Sequence, residues 1–219
     1  MHNIHIAGTG IWFPDERISN EELVNSYNSY VDLFNDKNHS KIQEGLLDPM
    51  GYSSVEFVEK ASGIKSRHVI DKEGILDINR MMPRIKNEHE DRLSIHAEVG
   101  IKAAKKAMKQ ASVISSDIDA VIVGSSHSAR NYPAVAIEIQ KELAINGYAY
   151  DMLVGCSSTT FAINNAFSDI ASGLAKTILV INPEISTPAV NFTHRDKHFI
   201  FGDGCAASII QKDSSSEKS

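Results

Sequence analysis

The run Asp119-Ala120-Val121-Ile122-Val123-Gly124-Ser125 limits what this chain can fold into more than any other stretch. An unbroken apolar run of strand length suits a strand covered on both faces, and such strands belong to parallel sheets flanked by helices. The segment before it, Ser94 to Ala111, reads as a helix. Ala97, Ile101, Ala104, Met108 and Ala111 recur at helical spacing, opposite Lys102, Lys105, Lys106 and Lys109. A lysine stripe of this kind reads as a solvated face rather than a carrier-protein dock. After the run come a helix over Pro133–Ala144, with Pro133 in its first turn, and a strand over Ala149–Gly155. A helix from Ser157 to about Gly173 follows, then strands over Thr177–Asn182 and Ala206–Gln211. With the short β-type run Ile4–Ala7, closed by Gly8-Thr9-Gly10, the alternation predicts an α/β fold. Its sheet is five-stranded, mixed and mostly parallel, with helices on both faces.

Elsewhere the pattern is weaker. Pro14 marks a turn and Ser19-Asn20-Glu21-Glu22 a helix start, with Ser19 or Asn20 as the cap. Residues 28–60 read as an irregular excursion with short helices, a lid or interface element, and 71–92 as a charged, Pro-interrupted loop. One domain over 1–211 and a polar tail over 212–219 are expected. A net charge of −6 argues against a nucleic-acid binder. Neither a signal-peptide pattern nor an apolar stretch near the ~18 residues of a membrane span is visible. The two cysteines, Cys156 and Cys205, fit reduced thiols, so a cytoplasmic setting is expected.

The chemistry-bearing junction is Asp151-Met152-Leu153-Val154-Gly155-Cys156-Ser157-Ser158-Thr159-Thr160-Phe161. It puts a cysteine where a strand expected to be buried gives way to a helix. Ligands gather beyond the carboxyl ends of such strands. A helix N-terminus offers unpaired N–H groups and a partial positive charge that favour a thiolate and an oxyanion. Placement alone leaves two readings open, an activated nucleophile or a small buried hydrophobe. The helix that follows has no Lys, Arg or Glu from Ser157 to Ala175, which suits a deep position against another helix. Cys205 reads as structural. His127, His194 and His198 read as surface or loop residues, and no histidine pair has convincing metal-ligand spacing; no metal and no resident cofactor are expected.

Four segments, in order, carry a resemblance. They are Ser62-Gly63-Ile64-Lys65-Ser66-Arg67-His68; Tyr132-Pro133-Ala134 with Ile139-Gln140; Asp151 through Phe161; and Phe201-Gly202-Asp203-Gly204. Together the chain resembles the N-terminal half of the β-ketoacyl-acyl-carrier-protein synthase III enzymes, from Ile4 to Gln211. The resemblance implies a thiolase-like fold of two similar halves packed through their central helices. It implies acyl transfer from an acyl coenzyme A thioester to Cys156, then decarboxylative condensation with malonyl-acyl-carrier protein in fatty acid biosynthesis. It also implies that Arg195 contacts the adenine end of coenzyme A and that Tyr132 lies near the acyl pocket of a neighbouring subunit in a homodimer. The Gly202-Asp203-Gly204 turn would support the backbone near the site.

Three departures follow from the same comparison. The family's adenine-stacking Trp and its Arg neighbour correspond to Phe57 and Ala61, so a cation is lost and the donor need not be acetyl coenzyme A. The 28–60 excursion would reshape the acyl pocket for a longer chain. The family's catalytic His and Asn belong to its second half and have no counterpart here, so condensation is expected only with a separate C-terminal half. The alternatives are an inactive or partner-binding fragment, or another thiolase-like condensing enzyme of hydroxymethylglutaryl or alkylquinolone type.

Overall fold

The computed structural model describes residues 3–85, 92–128 and 130–213. Along the chain run β1 (Ile4–Trp12), β2 (Arg17–Ser19), α1 (Asn20–Lys37), α2 (His39–Gln43) and α3 (Val55–Ser62). Next come β3 (Ser66–His68), α4 (Lys72–Leu76), α5 (Ile95–Ala111), β4 (Ala120–Gly124) and α6 (Val135–Glu142). β5 (Tyr148–Met152), α7 (Ser158–Ala171), β6 (Thr177–Ile185) and β7 (Asp203–Lys212) complete the order. They form two compact units, one of residues 1–12, 87–185 and 204–219, the other of 13–86 and 186–203.

The first unit holds the expected five-stranded sheet, in the order β1-β7-β6-β4-β5. β4 pairs parallel with both β5 and β6, while β1 pairs antiparallel with β7, so the sheet is mixed. β4 is buried at every residue, as its unbroken apolar sequence requires. Alternate residues serve opposite faces. Ala120, Ile122, Ile178 and Val180 pack with Ala162, Ala166 and Ile170 of α7. Ile181, on the other face, lies with Ile139 of α6 against Gly100 of α5. α5 starts at its Ser94 cap, whose Oγ accepts the Ala97 N–H at 3.2 Å. Of its lysine stripe, Lys102 stacks over the Trp12 ring and Lys106 donates to the Ile11 carbonyl.

One boundary differs from the sequence reading for a steric reason. β1 does not stop at Ala7 but continues through Gly8 and Gly10 to Trp12. A Cβ at Gly10 would lie 2.1 Å from the Ala103 carbonyl oxygen, and one at Gly8 would lie 2.6 Å from that of Ala107. The glycines that look like a turn are what let α5 lie directly on the strand.

In the second unit α1 opens with a full capping box. Ser19 Oγ accepts the Glu22 N–H at 3.1 Å, and the Glu22 carboxylate accepts the Ser19 N–H at 3.0 Å. The helix runs to Lys37, so the first part of the 28–60 excursion is regular. Leu23, Val24, Tyr27 and Val31, on one face, are its buried anchors. Leu23 and Val24 join Ile18, Val58, Val69, Ile75, Met81, Phe192 and Phe199 in a single core. α4 forms a short helix inside the stretch read as a loop over 71–92, of which residues 86–91 lie outside the described residues. β2 and β3 form a small antiparallel pair that the sequence reading lacked. No helix among the described residues is long and apolar enough to cross a membrane.

Candidate active site

β5 delivers Cys156. The strand lies at the edge of the sheet and is half-buried along its length, not buried as its sequence position suggested. After Met152 the chain turns through a short 3-10 segment, Gly155–Ser157, with Gly155 at φ 58°, a backbone conformation that favours glycine. α7 then begins at Ser158. Cys156 therefore sits in the turn leading into a 14-residue helix, and it is exposed. Leu153 and Val154 before it, and Phe161 and Phe167 along α7, are exposed as well. α7 is thus covered on its sheet side only, where its small residues had suggested burial all round.

The turn is held by Ser158, whose side chain is buried. Its Oγ accepts the Val154 N–H at 2.8 Å and stands 2.8 Å from the Gly155 carbonyl and 2.9 Å from the Ser125 carbonyl, to either of which it donates. Gly124 makes this approach possible, since a Cβ there would lie 2.7 Å from the Ser158 carbonyl oxygen. Next to the turn, Ser126 donates to the Glu184 carboxylate and His127 Nε2 hydrogen-bonds the Ile185 carbonyl at 2.9 Å. His96 meets His127 edge-to-face at 5.2 Å, and neither of its buried ring nitrogens has a partner. Burial first, and His127 second, push its pKa down to about 4. Tyr132 is 88% exposed. Pro133 stands outside α6, in a cis peptide bond after Tyr132, and the helix begins two residues later than expected.

Cys205 is buried on β7, and burial raises its thiol pKa to about 12. Of the two cysteines, only Cys156 is open to a reagent.

The second unit carries Phe57 and Arg195. The Arg195 guanidinium lies 3.8 Å above the Phe57 ring, its Nε donates to the Tyr52 carbonyl at 2.8 Å, and Phe199 meets Phe57 edge-on. Ala61 is exposed one helical turn beyond Phe57. His198, read from the sequence as a surface or loop residue, is fully buried. It stacks on Tyr27 at 4.7 Å and hydrogen-bonds the Arg195 carbonyl through Nδ1, and burial pushes its pKa down to about 4. The Asp203 carboxylate is a buried hub that accepts the Thr187 N–H and hydroxyl and the Ile70 N–H. Burial raises its pKa while these donors lower it. Among the described residues no group of three or more His, Cys, Asp or Glu is placed to hold a metal ion.

Comparison with known proteins places this geometry. Residues 150–219, the stretch that contains Cys156 and α7, match the family described as 3-oxoacyl-[acyl-carrier-protein] synthase III. The chain is 48% identical over 187 residues to the β-ketodecanoyl-[acyl-carrier-protein] synthase of Pseudomonas aeruginosa, covering 85% of this chain and 53% of that protein. The chain matches the N-terminal half of the 3-oxoacyl-[acyl-carrier-protein] synthase III enzymes. A further member, the β-ketoacyl-[acyl-carrier-protein] synthase III of Brucella anthropi, is 31% identical over 169 residues, which cover 77% of this chain and 45% of that one. The crystal structure of the Aquifex aeolicus synthase III superposes with a TM-score of 0.72 at 25% identity, covering 97% of this chain and 55% of that one. This chain thus spans about half the length of the family members it matches, and the half is the N-terminal one. The thiolase-like sheet flanked by helices is the fold they share.

Proposed function

We propose that the chain carries the acyl-accepting half of a synthase III reaction. Cys156 sulfur attacks the carbonyl of an acyl coenzyme A thioester, and the carbon–sulfur bond to coenzyme A breaks. Coenzyme A leaves as the thiol, taking up the cysteine's proton, and the acyl group stays on Cys156. In the second step malonyl-acyl-carrier protein loses carbon dioxide and its carbanion displaces Cys156, giving the β-ketoacyl-acyl-carrier protein. The catalytic His and Asn for that step lie, by resemblance, in the half of the fold beyond these residues. The exposed face of α7 and the edge strand β5 are where that half, and a second copy of the protein in a homodimer, would pack.

The observation that carries this reading is the exposed Cys156 in the turn into α7, within the segment that matches the family. Phe57 and Arg195 take the adenine end of the donor, the ring offering a stacking face and the guanidinium a cation. Tyr132 lines the acyl pocket of the neighbouring subunit. The donor is of medium length. A β-ketodecanoyl product, as in the name of the Pseudomonas aeruginosa relative, arises from an eight-carbon acyl group and the two carbons malonate supplies. A soluble, cytoplasmic setting fits these substrates.

The test is to offer coenzyme A thioesters of two to twelve carbons and follow release of the coenzyme A thiol. The reading predicts release with a maximum near eight carbons. Strict preference for acetyl would contradict the chain length, and no release at any length would contradict the reaction.

A further inference from the structure

Tyr132 lies between two points that are both tied to the segment bearing the nucleophile. On one side Ser125 donates its N–H to the Met152 carbonyl at 3.2 Å and offers its own carbonyl to Ser158 Oγ at 2.9 Å. On the other side the first N–H groups of α6, from Val135 and Ala136, donate one each to the two oxygens of the Asp151 carboxylate, both at 2.8 Å. Ala134, the residue before α6, offers no side-chain cap. Asp151 therefore supplies from the neighbouring strand the acceptor this helix lacks. The eight-residue stretch Asp151–Ser158 holds both flanks of the Tyr132 segment and carries Cys156 between them.

We propose that Asp151 and Ser158 are positioning residues that fix Tyr132 relative to the sheet, so that the acyl length accepted depends on two side chains that touch neither acyl group nor sulfur. The proposal rests on the reading that Cys156 accepts the acyl group and Tyr132 meets its chain. A carboxylate with two charge-assisted hydrogen bonds holds a helix start in one place and one rotation. Asparagine there keeps the shape but presents an NH2 group to one of the two N–H donors, which frees the helix start to shift. Small displacements of a positioning group cost up to about 100-fold in rate.

The test uses the protein at the full length its gene encodes, as wild type, Tyr132→Ala, Asp151→Asn and Ser158→Ala. Two rates are read for each: acylation of Cys156 by octanoyl and by butanoyl coenzyme A, expressed as a ratio, and alkylation of Cys156 by iodoacetamide. Tyr132→Ala and Asp151→Asn are expected to move the octanoyl-to-butanoyl ratio in the same direction by about fivefold or more, with alkylation within about twofold of wild type. Ser158→Ala moves the ratio and, because Ser158 also braces the turn, alkylation as well. A merely structural role would lower both acylation rates together and leave their ratio unchanged. An unchanged ratio in Asp151→Asn, or in Ser158→Ala should the first variant not fold, overturns the proposal, as does an unchanged ratio in Tyr132→Ala. Absence of acylation by either donor in the wild type is a different result and removes the nucleophile reading instead.

Discussion

Replacing Gly10 with alanine tests the strand–helix contact that supports the nucleophile's sheet. The new Cβ would lie 2.1 Å from the Ala103 carbonyl oxygen, 2.6 Å from the Ala107 nitrogen and 2.8 Å from the Lys106 Cβ. Two of those atoms are helix backbone, so no side chain can rotate away. β1 and α5 would have to separate by roughly an ångström along a packed contact, and overpacking of this kind costs about 1–3 kcal/mol and sometimes more. Backbone against backbone belongs at the upper end, about 3 kcal/mol. For a chain of this length each kcal/mol lowers the melting temperature by roughly 2–4 °C, so a fall of about 6–12 °C is expected. Thermal unfolding followed by circular dichroism measures it. Gly51→Ala is the control, because nothing lies within 4 Å of a Cβ built there, and it is expected to shift stability by less than about 0.5 kcal/mol. Equal melting temperatures for the two variants would refute the close approach and the continuation of β1 through Gly10.

Three further outcomes follow from the same structure. Iodoacetamide at neutral pH should label Cys156 and spare Cys205 until denaturant is added. Raising the Cys205 pKa from 9.0 to about 12 leaves about a thousandth of the usual thiolate, and equal labelling in the folded state would contradict that burial. Acid should weaken the fold in a defined window, since His96 and His198 are held near pKa 4 while the unfolded chain protonates from about 6.5. Stability is then full above that pH and falls, by about 3 kcal/mol per histidine, down to about pH 4. Chemical denaturation across pH 4–7 reads the slope, which His96→Phe should reduce by about half. The Arg84 guanidinium holds the Asp71 carboxyl well below the usual carboxylate range. Its stabilisation is therefore present above about pH 4 and lost as pH falls further, and in a denaturation series extended from pH 4 to 2 Asp71→Asn should lose less stability than the wild type.

Much of the fold was legible because local pattern and tertiary role agree. β4 is apolar without a break and β6 is so from Ile178 to Ile181, and these residues are buried; α5 repeats its small residues at helical spacing and buries them. Where the two disagree, the sequence misleads. Gly8 and Gly10 have the composition of a turn, yet they lie in a strand because a helix backbone occupies the space a side chain would need. After Asn28 α1 mixes polar residues with Tyr30, Val31, Leu33 and Phe34, and of these only Val31 is buried, so its inward face is poorly marked by sequence. At the candidate site, a cysteine between a strand and a helix was visible as a junction. The bracing by Ser158 and Asp151 was not, because their partners Ser125 and Val135 lie 33 and 16 residues away. Burial of His198 beneath Tyr27 comes from chain segments far apart in sequence, and nothing in its own neighbourhood announces it.

The claim on which the rest depends is that Cys156 takes the acyl group. Incubation with octanoyl coenzyme A, followed by proteolysis and mass spectrometry of the peptides, tests it most directly. One octanoyl group on the peptide that contains Cys156, absent from a Cys156→Ser variant and removed by hydroxylamine, is the predicted result. An unmodified Cys156 peptide, or the acyl group on Cys205 alone, would contradict the account.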